Sequence, residues 1–98
     1  MKKEKILDTL EDIAVKLQFK VRHEKGDFSG GVCLKEEESL IVINKRHMID
    51  RRINVLAREI APYDLTKFAI PPAVLKIIES ERQRASVEEI EETQDQED

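Results

Sequence analysis

A chain of 98 residues is one domain at most, and at this size folding buries only roughly 60–65% of the surface that the unfolded chain exposes. With 40% hydrophobic residues it is too apolar to be wholly disordered, and with no Trp, one Tyr and three Phe its core has to be aliphatic. The net charge of −4 is unevenly spread: Ala85 to Asp98 holds seven acidic residues and no Lys or Arg, so residues 1–84 carry only +3, well short of a strongly basic nucleic-acid binder.

In chain order, residues 3–18 predict a helix. Ile6, Leu7, Leu10, Ile13, Ala14 and Leu17 fall on one face, and Lys3, Lys5, Asp8, Glu11, Asp12 and Lys16 fall largely on the other. Phe19 to Glu24 changes to period two, with Phe19, Val21 and His23 alternating with charged residues, as in a half-buried strand. Lys25-Gly26-Asp27 is turn chemistry, and Gly30-Gly31 opens a second strand over Val32 to Lys35. Glu36 to Ser39 reads as a solvated turn. Leu40-Ile41-Val42-Ile43 is then a third strand with no polar face, so both of its sides need cover. At the edge of a three-stranded meander such a strand would invite aggregation. The first helix can cover one side through Leu10, Ile13 and Leu17. The other is left to a third helix or to a second copy of the chain, which keeps both monomer and homodimer open.

Residues 48–61 predict the second helix, with Ile49, Ile53, Leu56 and Ile60 as its buried stripe and Val55 and Ala57 widening it; Pro62 ends it. Residues 62–70 form a connection anchored by Phe68 and Ile70. Pro71-Pro72 opens a third helix whose apolar side is Val74, Leu75, Ile77 and Ile78 and whose charged end is Glu79 to Arg84. The expected architecture is α+β: an N-terminal helix, a three-stranded, mostly antiparallel sheet, and two C-terminal helices in one domain over residues 1–84. Residues 85–98 form an acidic tail, either disordered or frayed, or continuing the helix through Val87 and Ile90.

A strand ending in Ile43-Asn44, a charged link, and a helix carrying Ala57-Arg58-Glu59-Ile60-Ala61-Pro62 resemble the core of the IrrE/ImmA-type zincin-like metallopeptidases. The resemblance covers residues 30–62, a third of the chain. In that family the helix carries His-Glu-x-x-His, in which two histidines bind zinc and the glutamate activates water. Here Arg58 stands at the first histidine position and Pro62 at the second, and only Glu59 matches. An arginine keeps its proton and cannot ligate a cation, proline has no side-chain ligand, and Glu59 without a metal has no activated water to work on. The resemblance therefore implies a scaffold without the metal, with no catalytic residue and no cofactor. The plainer reading of Glu59 is a surface carboxylate paired with Arg52 or Arg58.

Other chemistry has little to stand on. His23, His47 and Cys33 are the only nitrogen or sulfur ligands, too few and too irregularly spaced for a recognisable zinc site. A hairpin between the first two strands would bring His23 and Cys33 near one another, but Cys33 lies mid-strand and reads as a small buried hydrophobe. A single cysteine, the absence of a signal-peptide pattern and the absence of an 18-residue apolar run predict a cytoplasmic protein with no membrane contact. The strongest positive feature is a basic cluster, Lys45, Arg46, His47, Arg51, Arg52 and Arg58, interrupted by Asp50 and Glu59 and without aromatic platforms. A solvated face is its plain reading, and contact with an acidic partner or weakly with nucleic acid is the functional one. Together these features favour a non-catalytic interaction or accessory protein, in the bacterial-type cytoplasm that the resemblance implies. Lys45, Arg46, Arg51, Arg52, Arg58 and Glu59 are its candidate surface for an unnamed protein partner. A nucleic-acid-associated protein using the same cluster is the alternative, and a hydrolase with Glu59 as base comes third.

Overall fold

The computed structural model describes the backbone of residues 1–27, 30–35 and 38–96 and the side chains of residues 1–27, 30 and 39–87. Of the expected turn over Glu36 to Ser39, Glu36-Glu37 lie outside the described residues, as do the Cys33 side chain and the side chains of the acidic tail from Glu88 onward, whereas Glu38 and Ser39 are strand.

The chain runs α1 (Lys3–Lys16), β1 (Phe19–Glu24), β2 (Gly31–Lys35), β3 (Glu38–Asn44), α2 (Ile49–Ile60) and α3 (Pro72–Gln96). Ile6, Leu7, Leu10, Ile13 and Ala14 of α1 are buried, as its helical period requires. α1 ends where Gln18 takes a left-handed backbone (φ 77°), a position that glycine usually fills. α2 buries Ile53, Leu56, Ala57 and Ile60. α3 buries Val74 and Ile78 and continues through the acidic segment, while Leu75, expected on its apolar side, is 42% exposed. No helix among the described residues is long and apolar enough to cross a membrane.

The expectation of a mostly antiparallel sheet is overturned. Strand order is β1-β3-β2. β1 pairs with β3 in parallel, from Phe19 opposite Ser39 to Glu24 opposite Asn44, and only the β2–β3 pair is antiparallel. The apolar strand therefore lies at the centre and not at an edge, so hydrogen bonds occupy both of its edges; this answers the aggregation problem that an edge position would create. It also separates His23 from Cys33: His23 stands opposite Ile43 and Cys33 opposite Leu40, on strands two spacings or roughly 9–10 Å apart. The first two strands form no hairpin. Gly26 and Gly30, between β1 and β2 in the chain, instead both lie against the end of β3.

Both positions are constrained. Asn44, 2% exposed at the end of β3, donates from Nδ2 to the Gly26 carbonyl at 2.8 Å and accepts at Oδ1 from the Arg46 amide at 3.0 Å. Gly30 has φ +89°, and a Cβ there would lie 3.0 Å from the Val42 carbonyl oxygen. A side chain at Gly30 would meet both backbone strain and a close contact.

All three helices lie on one side of the sheet. α2 packs on β2 and β3, α1 flanks it against β1, and α3 lies on α1 and α2, without contact to the sheet among the described residues. Ile41 and Ile43, both 0% exposed, face this layer and join one core with Leu10, Leu56, Ile60 and Ile78. Neither α1 nor α3 is thus the main cover of β3. On the open face, away from the helices, Leu40 is buried and Val42 half-buried beside the exposed Lys20 and Arg22 of β1. His23 Nε2 lies 3.2 Å from Glu11 Oε2, tying β1 to α1.

Candidate functional site

α2 presents a second face beside its buried stripe. Arg51, Asn54, Val55, Arg58 and Glu59 recur at helical spacing along it and form one wall of a groove of about 460 Å³. α3 forms the other wall with Glu81 and Arg84, and Gly30 closes it from the sheet side. Two helices hold these walls together. Arg82 of α3 donates from Nε to the Ala61 carbonyl at 2.9 Å, satisfying a backbone oxygen just past the end of α2, and it also pairs with Glu79.

The groove gathers three guanidinium groups and two carboxylates. Glu81 is the unusual member, because its side chain is only 5% exposed. Among the described residues its one hydrogen-bond partner is Arg84, whose Nη1 donates to Oε1 at 3.0 Å from a side chain 62% exposed. A carboxylate this buried is costly unless it is paired. Arg51 is exposed and forms no ion pair among the described residues. Arg58 and Glu59, both half-buried, have interaction partners of their own.

Arg51 and Arg58, two turns apart on α2, meet in the groove together with Glu59. Arg52 is not part of the groove lining, and its Nε is buried without a hydrogen-bond partner among the described residues. Arg46 is held at the β3–α2 turn by Asp27, with Nη1 to Oδ1 at 3.1 Å, and Lys45 is exposed at the same turn. Desolvation and the neighbouring Arg51 charge hold the His47 imidazole below its usual pKa, which weakens its part in the cluster's positive charge. Glu81 and Arg84 line the groove although they lie outside the surface that the sequence points to. A signal existed, since 74, 78 and 81 fall on one helical stripe and a glutamate there interrupts an apolar row.

A second cleft, of about 450 Å³, lies where residues 63–70 pass the first turns of α3, with Leu65, Phe68, Ile70 and Leu75 as its apolar lining. Tyr63 stands at its edge and packs edge-on against Phe19, ring centres 5.5 Å apart. Asp64 shapes the loop: its Oδ1 accepts from Thr66 Oγ1 at 2.7 Å and from the Thr66 amide at 3.1 Å. The Thr66 hydroxyl first, and then the amide, hold the Asp64 carboxyl below its ordinary pKa. A depressed carboxylate adds stability that is present above the unfolded pKa and is lost as pH falls through the folded one. Thr66→Val should therefore be less stable than the parent at neutral pH, with the gap closing below about pH 4. Thermal melts from pH 7 to pH 2.5 check this, and a gap that stays constant with pH would refute it.

Among the described residues, no three His, Cys, Asp or Glu side chains come together as a set that could hold a metal ion. No family model, curated protein or solved structure matches the chain. The guanidinium groups of the α2–α3 groove can bind oxyanions through directed N–H donors, beside the carboxylates of Glu59 and Glu81.

Proposed function

We propose that this chain is a non-catalytic binding protein on a zincin-like scaffold, with Arg58 at a position where the metallopeptidases carry a metal-binding histidine. Its binding site is the groove between α2 and α3. The observation that carries this reading is the convergence of Arg51, Arg58 and Arg84 with Glu59 and Glu81 in one groove built from two helices. Pro62, at the second histidine position, lies beyond the end of α2 and is exposed. We place the protein in a bacterial-type cytoplasm as an accessory factor, recognising a partner by charge and shape.

Elemental analysis of purified, dialysed protein tests the metal-free half of the proposal. We expect no stoichiometric zinc, because Arg58 and Pro62 offer no ligand. About one zinc per chain after dialysis would overturn it. The nucleic-acid alternative is tested on random duplex DNA, where each phosphate neutralised adds about −0.9 to the log–log salt slope. We expect no tight binding at ~0.15 M salt, because the basic residues are divided between the groove and the β3–α2 turn, where Arg46 already holds Asp27. Tight, salt-steep binding would replace the proposal by that alternative.

A further inference from the structure

The groove offers charges of both signs, and one of each has unused bonding capacity. Glu81 lines it with a side chain 5% exposed and a carboxylate of which only Oε1 is hydrogen-bonded among the described residues. A carboxylate accepts several hydrogen bonds, so the second oxygen is an unfilled acceptor in a nearly dry setting. Arg51 lines the same groove, exposed and without an ion-pair partner among the described residues, so its guanidinium donors are available. A purely anionic ligand would bring no donor to the second oxygen of Glu81, and a purely cationic one would bring no acceptor to Arg51. A ligand carrying both an ammonium and a carboxylate satisfies both.

We propose that the groove binds a small zwitterion of the amino-acid class, its ammonium donating to the free oxygen of Glu81 and its carboxylate accepting from Arg51. This inference rests on the reading of the groove as a binding site. The dimensions favour a ligand with well-separated charges. Arg51 and Glu81 stand on opposite walls of the groove, on two packed helices whose axes lie roughly 8–10 Å apart. An α-amino acid places its charged groups within one residue length, about 3.6 Å, whereas an ω-amino acid with five intervening carbons spreads them over about twice that. The volume of about 460 Å³ accommodates such a molecule.

Nuclear magnetic resonance titration of the intact chain with four probes tests the proposal: glycine, 6-aminohexanoate, hexylamine and hexanoate. We expect saturable shifts centred on Arg51 and Glu81 with 6-aminohexanoate. Glycine and the two singly charged probes should bind about tenfold or more weakly, since each lacks one charge-assisted bond or cannot reach both partners. Glu81→Gln, which keeps shape and size, should weaken 6-aminohexanoate and hexylamine and leave hexanoate unchanged. Arg51→Ala, at an exposed position, should weaken 6-aminohexanoate and hexanoate and leave hexylamine unchanged. Circular dichroism confirms that both variants fold. Were a singly charged probe to saturate the groove as tightly as 6-aminohexanoate, the zwitterion inference would fall while the groove remained a binding site. Shifts outside the groove, or none with any probe, would overturn the inference. The metal-free binding reading fails separately, on stoichiometric zinc.

Discussion

Ile41→Lys will leave the protein unfolded at 25 °C, whereas Val42→Lys, one residue further along the same strand, will stay folded. Ile41 is 0% exposed and packs in the common core with the helices. A lysine there either buries an unpaired ammonium or pushes the helix layer off the sheet, at a cost of several kcal/mol. A domain of this size has a total stability of only about 5–10 kcal/mol to lose. Val42 points to the open face, is half-buried, and stands opposite Arg22 on β1. A lysine there keeps its ammonium in water, and repulsion from Arg22 costs about 1 kcal/mol or less. Circular dichroism melts with size-exclusion chromatography decide the matter. If Val42→Lys also unfolds the chain, the open face is covered by something, and a second copy becomes the first suspect. If both variants fold, the helix-covered face has been misassigned.

Asn44→Leu will lower the melting temperature by roughly 8–16 °C, the shift that about 2 kcal/mol gives in a domain of this size. The substitution is close in volume, so packing changes little. It removes the donor that holds the Gly26 carbonyl at 2.8 Å and the acceptor that holds the Arg46 amide at 3.0 Å. A buried polar group left without a partner costs about 1–3 kcal/mol. Asn44 lies where Gly26 meets the end of β3, so loosening should begin there. Asn44→Asp should fall between the two, because its carboxylate still accepts from Arg46 but faces the Gly26 oxygen without a proton to donate. An Asn44→Leu protein melting within about 2 °C of the parent would show that this side chain does not hold Gly26 there.

Asn44 also bears on the resemblance to zincin-like metallopeptidases. Residues 43–44 and 57–62 suggested that likeness, and in the fold Asn44 has a local duty, closing the turn before α2. A polar residue ending a strand can therefore be required by the crossover alone. Arg58 and Glu59 are different: they line a groove, and their neighbours across it come from α3, more than twenty residues further along the chain.

The helices of this protein were legible in its sequence because a helix is written in spacings of three and four along one segment. Ile6, Leu10 and Ile13, and Ile53, Leu56 and Ile60, reach the core as their period demands, and Pro62 falls just past the end of α2. The apolar run Leu40 to Ile43 likewise announced that it could not bear an open edge. Which remedy the chain adopts is not local information. Turn residues at Lys25-Gly26-Asp27 fit a hairpin and a crossing equally well. Only the pairing of β3 with both neighbours, and its packing under α2, selected the order β1-β3-β2. The groove is tertiary for the same reason. Arg51 and Glu81 are thirty residues apart in the chain, and what brings them to one cleft is the packing of α3 against α2, anchored by Val74 and Ile78 in the core and by Arg82 on the Ala61 carbonyl.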